Sequence, residues 1–238
     1  MIRVILPGKI QKVASQERDV GHRGSGEPTT GTTVCSSDTP CLTPAIPPPL
    51  EPIATAKYDL ASAVIRPGIL TPNQCRSVIL EAQMVGMSRA TILRNGKSIK
   101  NYARTCDSCW LDRNQKNEWL YEIVTKAACD ISEANFGFLL KDVQKLQVLR
   151  YKPLQWFRWH VDIFPDSMRK MTAVVNLSDP SDYVGGGFRI DGNTYNKEYA
   201  RDRGAGTFFP SFIRHCAKAP IWGERWVLVA WLLGPRFM

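Results

Sequence analysis

Two of the chain's three histidines stand where a strand could make them act together. His160 lies two residues before Asp162 in the β-prone run Phe157 to Val161, and residues i and i+2 of a strand project from the same face. His215 follows Asp162 by 53 residues, beside another strand-like segment, where a barrel could return it to the same spot. Two neutral imidazoles and a carboxylate on one face of a metal ion leave three coordination positions open. Taken alone, a His-x-Asp pair is more often a satisfied core or surface group. Ten residues past His215, Arg225 opens the apolar run Trp226-Val227-Leu228-Val229-Ala230-Trp231. A guanidinium at the mouth of a buried strand needs an anionic partner, and its planar fork suits a carboxylate bidentately. A co-substrate bearing a carboxylate would satisfy it. His22 falls in a low-complexity segment and is not expected to take part.

These side chains need a scaffold, and its elements are legible. Thr71-Pro72-Asn73-Gln74 supplies an N-cap, a proline at the first helical position and a Gln at the third, with Cys75, Val78, Ile79 and Ala82 following at helical spacing. A second helix is predicted from about Asn114 to Asn135, with Leu120, Ile123, Val124, Ala127, Ile131 and Ala134 on one face. After Gly137 come short β-prone runs at 146–151, 157–161, 171–177, 187–190, 207–209 and 225–233, divided by turn clusters such as Ser178-Asp179-Pro180-Ser181. Strands so spaced after two helices indicate an α+β protein, a double-sheet β barrel with helices on one outer face. Residues 1–57, rich in Gly, Ser, Thr and Pro over most of their length and ending near Pro47-Pro48-Pro49, read as a flexible lead-in, because too little apolar surface is present to offset ordering the chain. The folded domain is placed at 58–238.

Of 238 residues, 31 are Lys or Arg and 22 are Asp or Glu, a formal charge of +9. Residues 1–55 hold five of each sign, so the excess lies in the folded part, notably Arg66, Arg76, Arg89, Arg94, Lys97, Lys100 and Arg104 against Glu81 alone. Such a stretch could meet phosphate or acidic peptide, although a solvated face is the commoner outcome. No apolar run approaches the roughly 20 residues of a membrane-spanning helix, and no secretory core is visible, so a cytoplasmic location is expected. Seven cysteines without regular spacing argue against a disulfide framework, and Cys106-x-x-Cys109 lacks the second pair a structural zinc site needs.

The constellation His160-x-Asp162, His215, Arg225 resembles that of the Fe(II)- and 2-oxoglutarate-dependent dioxygenases, whose fold is a double-stranded β-helix or jelly roll. Leu149-Arg150-Tyr151 resembles the strand of the prolyl 4-hydroxylase branch in which a Tyr contacts 2-oxoglutarate. Tyr183-Val184-Gly185-Gly186-Gly187-Phe188 resembles its Gly-Gly turn, and Gly206-Thr207-Phe208-Phe209-Pro210-Ser211 its approach to the distal His. Trp119-Leu120-Tyr121 through Asn135 and Phe138 looks like the helix of bacterial and phage-type hydroxylases of that branch. The resemblance implies that His160, Asp162 and His215 bind Fe(II), and that Arg225, with Tyr151, holds the far carboxylate of 2-oxoglutarate. It further implies that dioxygen is consumed, that succinate and CO2 leave, and that a C–H bond of a peptide, protein or small molecule is hydroxylated. Ascorbate is a candidate reductant. Because Asp162 is present, hydroxylation rather than halogenation is the expected outcome.

Two other functions compete. A nucleic-acid dealkylating dioxygenase would suit the basic surface, but such relatives place a second Arg six residues beyond the first, where this chain has Trp231. A non-enzymatic metal-binding jelly-roll module would not need Arg225 and Tyr151 beside the triad. Arg158 shares the strand parity of His160 and faces the same cavity unless a bulge or strand end turns it out. Trp156 is a rim residue, Asn176 satisfies a buried turn, and Cys216 has the wrong parity to join His215 as a ligand.

Overall fold

The computed structural model describes residues 58–94, 97–164, 167–191 and 201–236. The expected lead-in, 1–57, lies outside the described residues. Thr71 starts helix α1 (Pro72–Val85) as the local sequence dictates: its hydroxyl accepts from the Gln74 N–H, and the Gln74 side chain accepts from the Thr71 N–H at 2.8 Å. Helix α2 is shorter than its apolar period suggests, running Glu118–Ile131 before a wider turn at Ser132–Phe136. Asparagine side chains account for the late start. Asn117 accepts from the Asn114 N–H and donates to the Asp112 carbonyl, offering the backbone a turn in place of a helical ladder. Gly137 ends the wider turn in the left-handed region at φ 68°, and a Cβ there would meet the Tyr58 ring at 2.4 Å.

The strands are β1 (Val64–Arg66), β2 (Ser88–Arg89), β3 (Ile92–Arg94), β4 (Lys97–Ile99), β5 (Asp107–Leu111), β6 (Asp142–Val143), β7 (Leu146–Tyr151), β8 (Phe157–His160), β9 (Arg169–Asn176), β10 (Tyr183–Gly185), β11 (Phe188–Ile190), β12 (Gly206–Pro210), β13 (His215–Ala217), β14 (Pro220–Gly223) and β15 (Arg225–Leu233). The main antiparallel sheet runs β1-β12-β9-β15-β7-β5-β2, with β6 added to β15, and a smaller sheet runs β11-β13-β8. The architecture is the expected α+β jelly roll.

Central strand β15 shows how the layers are built. Trp226, Leu228, Ala230 and Leu232 join the core packed against α1 and α2, whereas Val227, Val229 and Trp231 face the core between the sheets. Burial on both faces explains why its sequence is a continuous apolar run rather than an alternation. Tyr121 of α2 fastens this arrangement: its hydroxyl donates to the Leu111 carbonyl at 2.7 Å and accepts from the Leu146 N–H at 3.1 Å. Tyr121→Phe removes both partners from buried backbone groups and is expected to lower the unfolding free energy by about 1–3 kcal/mol, read from urea midpoints. No helix among the described residues is long and apolar enough to cross a membrane.

Candidate active site

The two imidazoles meet because β8 and β13 pair with His160 opposite His215, leaving their ring centroids 4.2 Å apart. Asp162 follows β8, its backbone N–H bonded to the Ser211 carbonyl at 2.9 Å. Its Oδ1 lies 3.7 Å from His160 Nε2 and its Oδ2 3.6 Å from His215 Nε2, and the three ligand atoms all fall within 4.8 Å of one another. Each Nδ1 points at a backbone carbonyl two residues earlier, His160 at Arg158 (2.8 Å) and His215 at Ile213 (3.0 Å). A carbonyl can only accept, so each Nδ1 carries the proton and each Nε2 lone pair is left facing its neighbours. Thr172 steadies the carboxylate by donating to Oδ2 at 2.7 Å, and Arg169 donates to the Asp162 backbone carbonyl at 3.1 Å.

Protonation states match that arrangement. Burial, reinforced by His215 and opposed by Asp162, pushes the pKa of His160 down to about 4. Burial alone would raise Asp162, but the two imidazoles and the Thr172 hydroxyl outweigh it and hold the carboxyl below its ordinary range. At neutral pH His160 is therefore neutral and Asp162 ionised, and with the His215 nitrogen they form a donor set that suits a divalent first-row ion. In metal-free protein the unfolded chain binds a proton at His160 between about pH 6.5 and 4 where the folded chain does not. Stability should accordingly fall as pH drops through that window, and His160→Gln should flatten the slope in a series of urea midpoints.

Arg225 lines the same cavity. It is buried at the start of β15, opposite Tyr151 of β7, and its guanidinium carbon lies 5.9 Å from the Tyr151 ring centroid. Among the described residues no carboxylate lies within the 4.0 Å of an ion pair with it. An unpaired buried guanidinium is costly, so the site fits an anionic ligand, such as the carboxylate of 2-oxoglutarate, reaching between Arg225 and the triad. Burial lifts the Tyr151 hydroxyl well above its ordinary pKa, so it stays a neutral hydrogen-bonding group. Leu149, Val174, Val227 and Val229 supply the apolar walls. Gly185 and Gly186 both take positive φ, and a Cβ on Gly186 would press within 3.3 Å of Pro220 and 3.4 Å of the Arg225 side chain, which gives the glycine pair of the sequence a packing role.

The structure thus brings His160, Asp162, His215, Arg225 and Tyr151 to one cavity. Arg158 is not among its lining residues. The pairing of β8 with β13 shifts register between His215 and Ala217, so that Ala217 stands opposite Phe157, and this bulge turns Phe157 inward and Arg158 out to solvent. Asn176 donates to the Ser178 and Arg201 carbonyls, as a turn residue should. Cys106 and Cys109 are buried thiols whose pKa values burial raises, and the triad is the one group of three or more potential metal ligands among the described residues.

The residue missed from sequence is Arg104. It lines the cavity, donates to Gln147 Oε1 at 2.7 Å and lies 4.7 Å over the Phe157 ring, which in turn stacks on His160 at 3.5 Å. Its only sequence signal was membership of a basic stretch, and that stretch disperses in the fold: Arg66 pairs with Asp130 of α2, and Arg76 bonds Asn73 within α1.

Residues 146–233 match the family model of the 2OG-Fe(II) oxygenase superfamily. A PKHD-type hydroxylase of Synechococcus sp. (strain CC9605) is 31% identical over 97 residues, 40% of this chain and 44% of that protein, so the chain spans under half the length of the curated relative it matches. A Pseudomonas putida prolyl-4-hydroxylase superimposes with a TM-score of 0.59 at 19% identity, covering 72% of this chain and 92% of that one. A Trichoplax adhaerens prolyl hydroxylase, solved with a hypoxia inducible factor oxygen degradation domain peptide fragment, gives 0.60 at 15% identity, covering 73% and 84%. These structures share the double-stranded β-helix fold with this chain.

Proposed function

We propose, from the match of residues 146–233 to the 2OG-Fe(II) oxygenase superfamily model, that the chain is an Fe(II)- and 2-oxoglutarate-dependent hydroxylase whose iron ligands are His160, Asp162 and His215. The observation that carries this reading is the buried Arg225, without a carboxylate partner among the described residues, in the same cavity as the triad. The chemistry that the metal, 2-oxoglutarate and dioxygen supply when bound is oxidative decarboxylation to succinate and CO2, coupled to hydroxylation of a C–H bond.

The chain's own part is binding, orientation and exclusion of water. The His160 and His215 Nε2 atoms and the Asp162 carboxylate would hold the ion, and the carbonyls of Arg158 and Ile213 keep both rings from rotating. Thr172 fixes the carboxylate, so the ligand set is preorganised before any metal arrives. Arg225 would receive the distal carboxylate of 2-oxoglutarate in its guanidinium fork, the neutral Tyr151 hydroxyl would offer a hydrogen bond beside it, and Leu149, Val174, Val227 and Val229 would keep bulk water out.

A peptide or protein side chain is the substrate class best supported, because the Trichoplax enzyme of the same fold is seen with a peptide fragment. The Synechococcus relative, itself named a hydroxylase, supports the reaction type. The described cysteines are all free thiols, which fits a reducing compartment such as the cytoplasm. Anaerobic addition of Fe(II) and 2-oxoglutarate should produce a visible charge-transfer band, and air with ascorbate as reductant should then release succinate. Absence of both would refute the enzyme reading. Succinate release against a panel of Pro-containing peptides, free amino acids and methylated oligonucleotides assigns the substrate.

A further inference from the structure

The bulge that turns Phe157 into the cavity also builds a second feature on the far side of the same strands. Trp156, Arg158 and Trp159 of the β8 segment and Arg214 and Lys218 around β13 line an open groove. Arg189 of β11 stands opposite Cys216 in the pairing and extends the same outward face. All four cations are exposed. No Asp or Glu among the described residues lines the groove, and its nearest compensation is Asp191, 3.6 Å from Arg214 in a pair more than half exposed on both sides. Such a pair is weak and readily exchanged for another carboxylate. Phe157 and Ala217 line both the groove and the candidate active-site cavity, so the two are separated by one layer of side chains.

We propose that this groove seats an acidic peptide segment, the part of a protein substrate that flanks the residue entering the cavity. The proposal rests on the hydroxylase reading for the identity of that residue, but the groove's charge and shape stand without it. Charge complementarity selects the partner: three exposed cations line the groove, with Arg189 on the same outward face, and no carboxylate lines it among the described residues. The tryptophans decide between acidic peptide and single-stranded nucleic acid. Base stacking wants a bare indole face, yet Arg214 lies over the Trp159 ring at 5.2 Å. The Trp156 indole N–H is committed to the Tyr102 carbonyl at 3.0 Å. Trp159 therefore props a guanidinium that can fork onto a carboxylate, rather than offering a platform for a base.

Fluorescence anisotropy with the full chain, without iron or 2-oxoglutarate, tests this directly. The probes are labelled hexaglutamate, labelled hexalysine and a labelled oligothymidylate of equal charge to the hexaglutamate. Hexaglutamate is expected to bind and hexalysine not. The double variant Arg158→Glu with Arg214→Glu should weaken hexaglutamate by about tenfold or more. The control double variant Arg76→Glu with Lys116→Glu, exposed sites that change net charge equally, should change it less than about twofold. Should the charge-reversed groove fail to fold by its unfolding temperature, Arg158→Gln with Arg214→Gln, set against Arg76→Gln with Lys116→Gln, carries the comparison at equal charge change. Equal losses in groove and control variants, tighter binding of oligothymidylate, or no hexaglutamate binding would each overturn the proposal. Because no metal or turnover is involved, these outcomes are separable from failure of the charge-transfer and succinate tests.

Discussion

Asp162→Ala is expected to abolish Fe(II) binding and, with it, succinate formation. The carboxylate is the only anionic donor in the triad and, among the described residues, the one carboxylate within 4.0 Å of both imidazole Nε2 atoms. Without it two imidazole nitrogens remain, and neither charge nor face-on geometry favours a divalent ion over water. The loss should exceed the roughly 10–100-fold that removing a supporting partner costs in metal sites, because a ligand itself is lost. Anaerobic titration with Fe(II), followed by calorimetry, measures it. His160→Ala should behave alike. The fold should survive Asp162→Ala, since deleting a buried charge outright leaves no uncompensated charge behind. Saturable Fe(II) binding retained by Asp162→Ala with wild-type affinity would remove that residue from the ligand set.

Arg225→Ala should leave iron affinity nearly intact and raise the 2-oxoglutarate concentration for half-saturation by about 30–1000-fold, equivalent to about 2–4 kcal/mol for losing one side of a buried hydrogen-bonded charge pair. Arg225→Lys should recover part of this as a point charge without the bidentate fork. Stability gives a second reading with the opposite sign. Because no described carboxylate pairs with Arg225, the isostructural change Arg225→Met should not destabilise ligand-free protein and is expected to raise its unfolding temperature. Saturating 2-oxoglutarate with a redox-inert divalent ion should stabilise wild type by about 2.7 kcal/mol at a hundred times its Kd, and the variant hardly at all. A wild-type 2-oxoglutarate affinity in Arg225→Ala would displace that carboxylate from the end of β15.

The same two predictions mark how much could be read in advance. The start of helix α1 was legible to the residue because its cap is a local hydrogen-bond exchange between Thr71 and Gln74. Strand β15 was legible because burial on both faces demands an unbroken apolar run. By contrast, the start of α2 was misplaced, since the asparagine turns at Asn114 and Asn117 outcompete four residues of helical period. The short strands β1, β10 and β14 carry too few residues for any period to register.

What the sequence determined by itself was the inventory: two histidines and an aspartate of the types a divalent ion needs, an arginine at the head of a buried strand, and alternating strands after two helices. Tertiary structure decided which neighbours those groups have. A one-residue bulge between β8 and β13 reversed Phe157 and Arg158, sending the aromatic against His160 and the cation to an outer groove. Chain folding brought Arg104 to Gln147 and Phe157, contacts 43 and 53 residues away along the sequence. Side-chain parity is a property of strand pairing, and long-range contact a property of topology, so neither is written in local spacing.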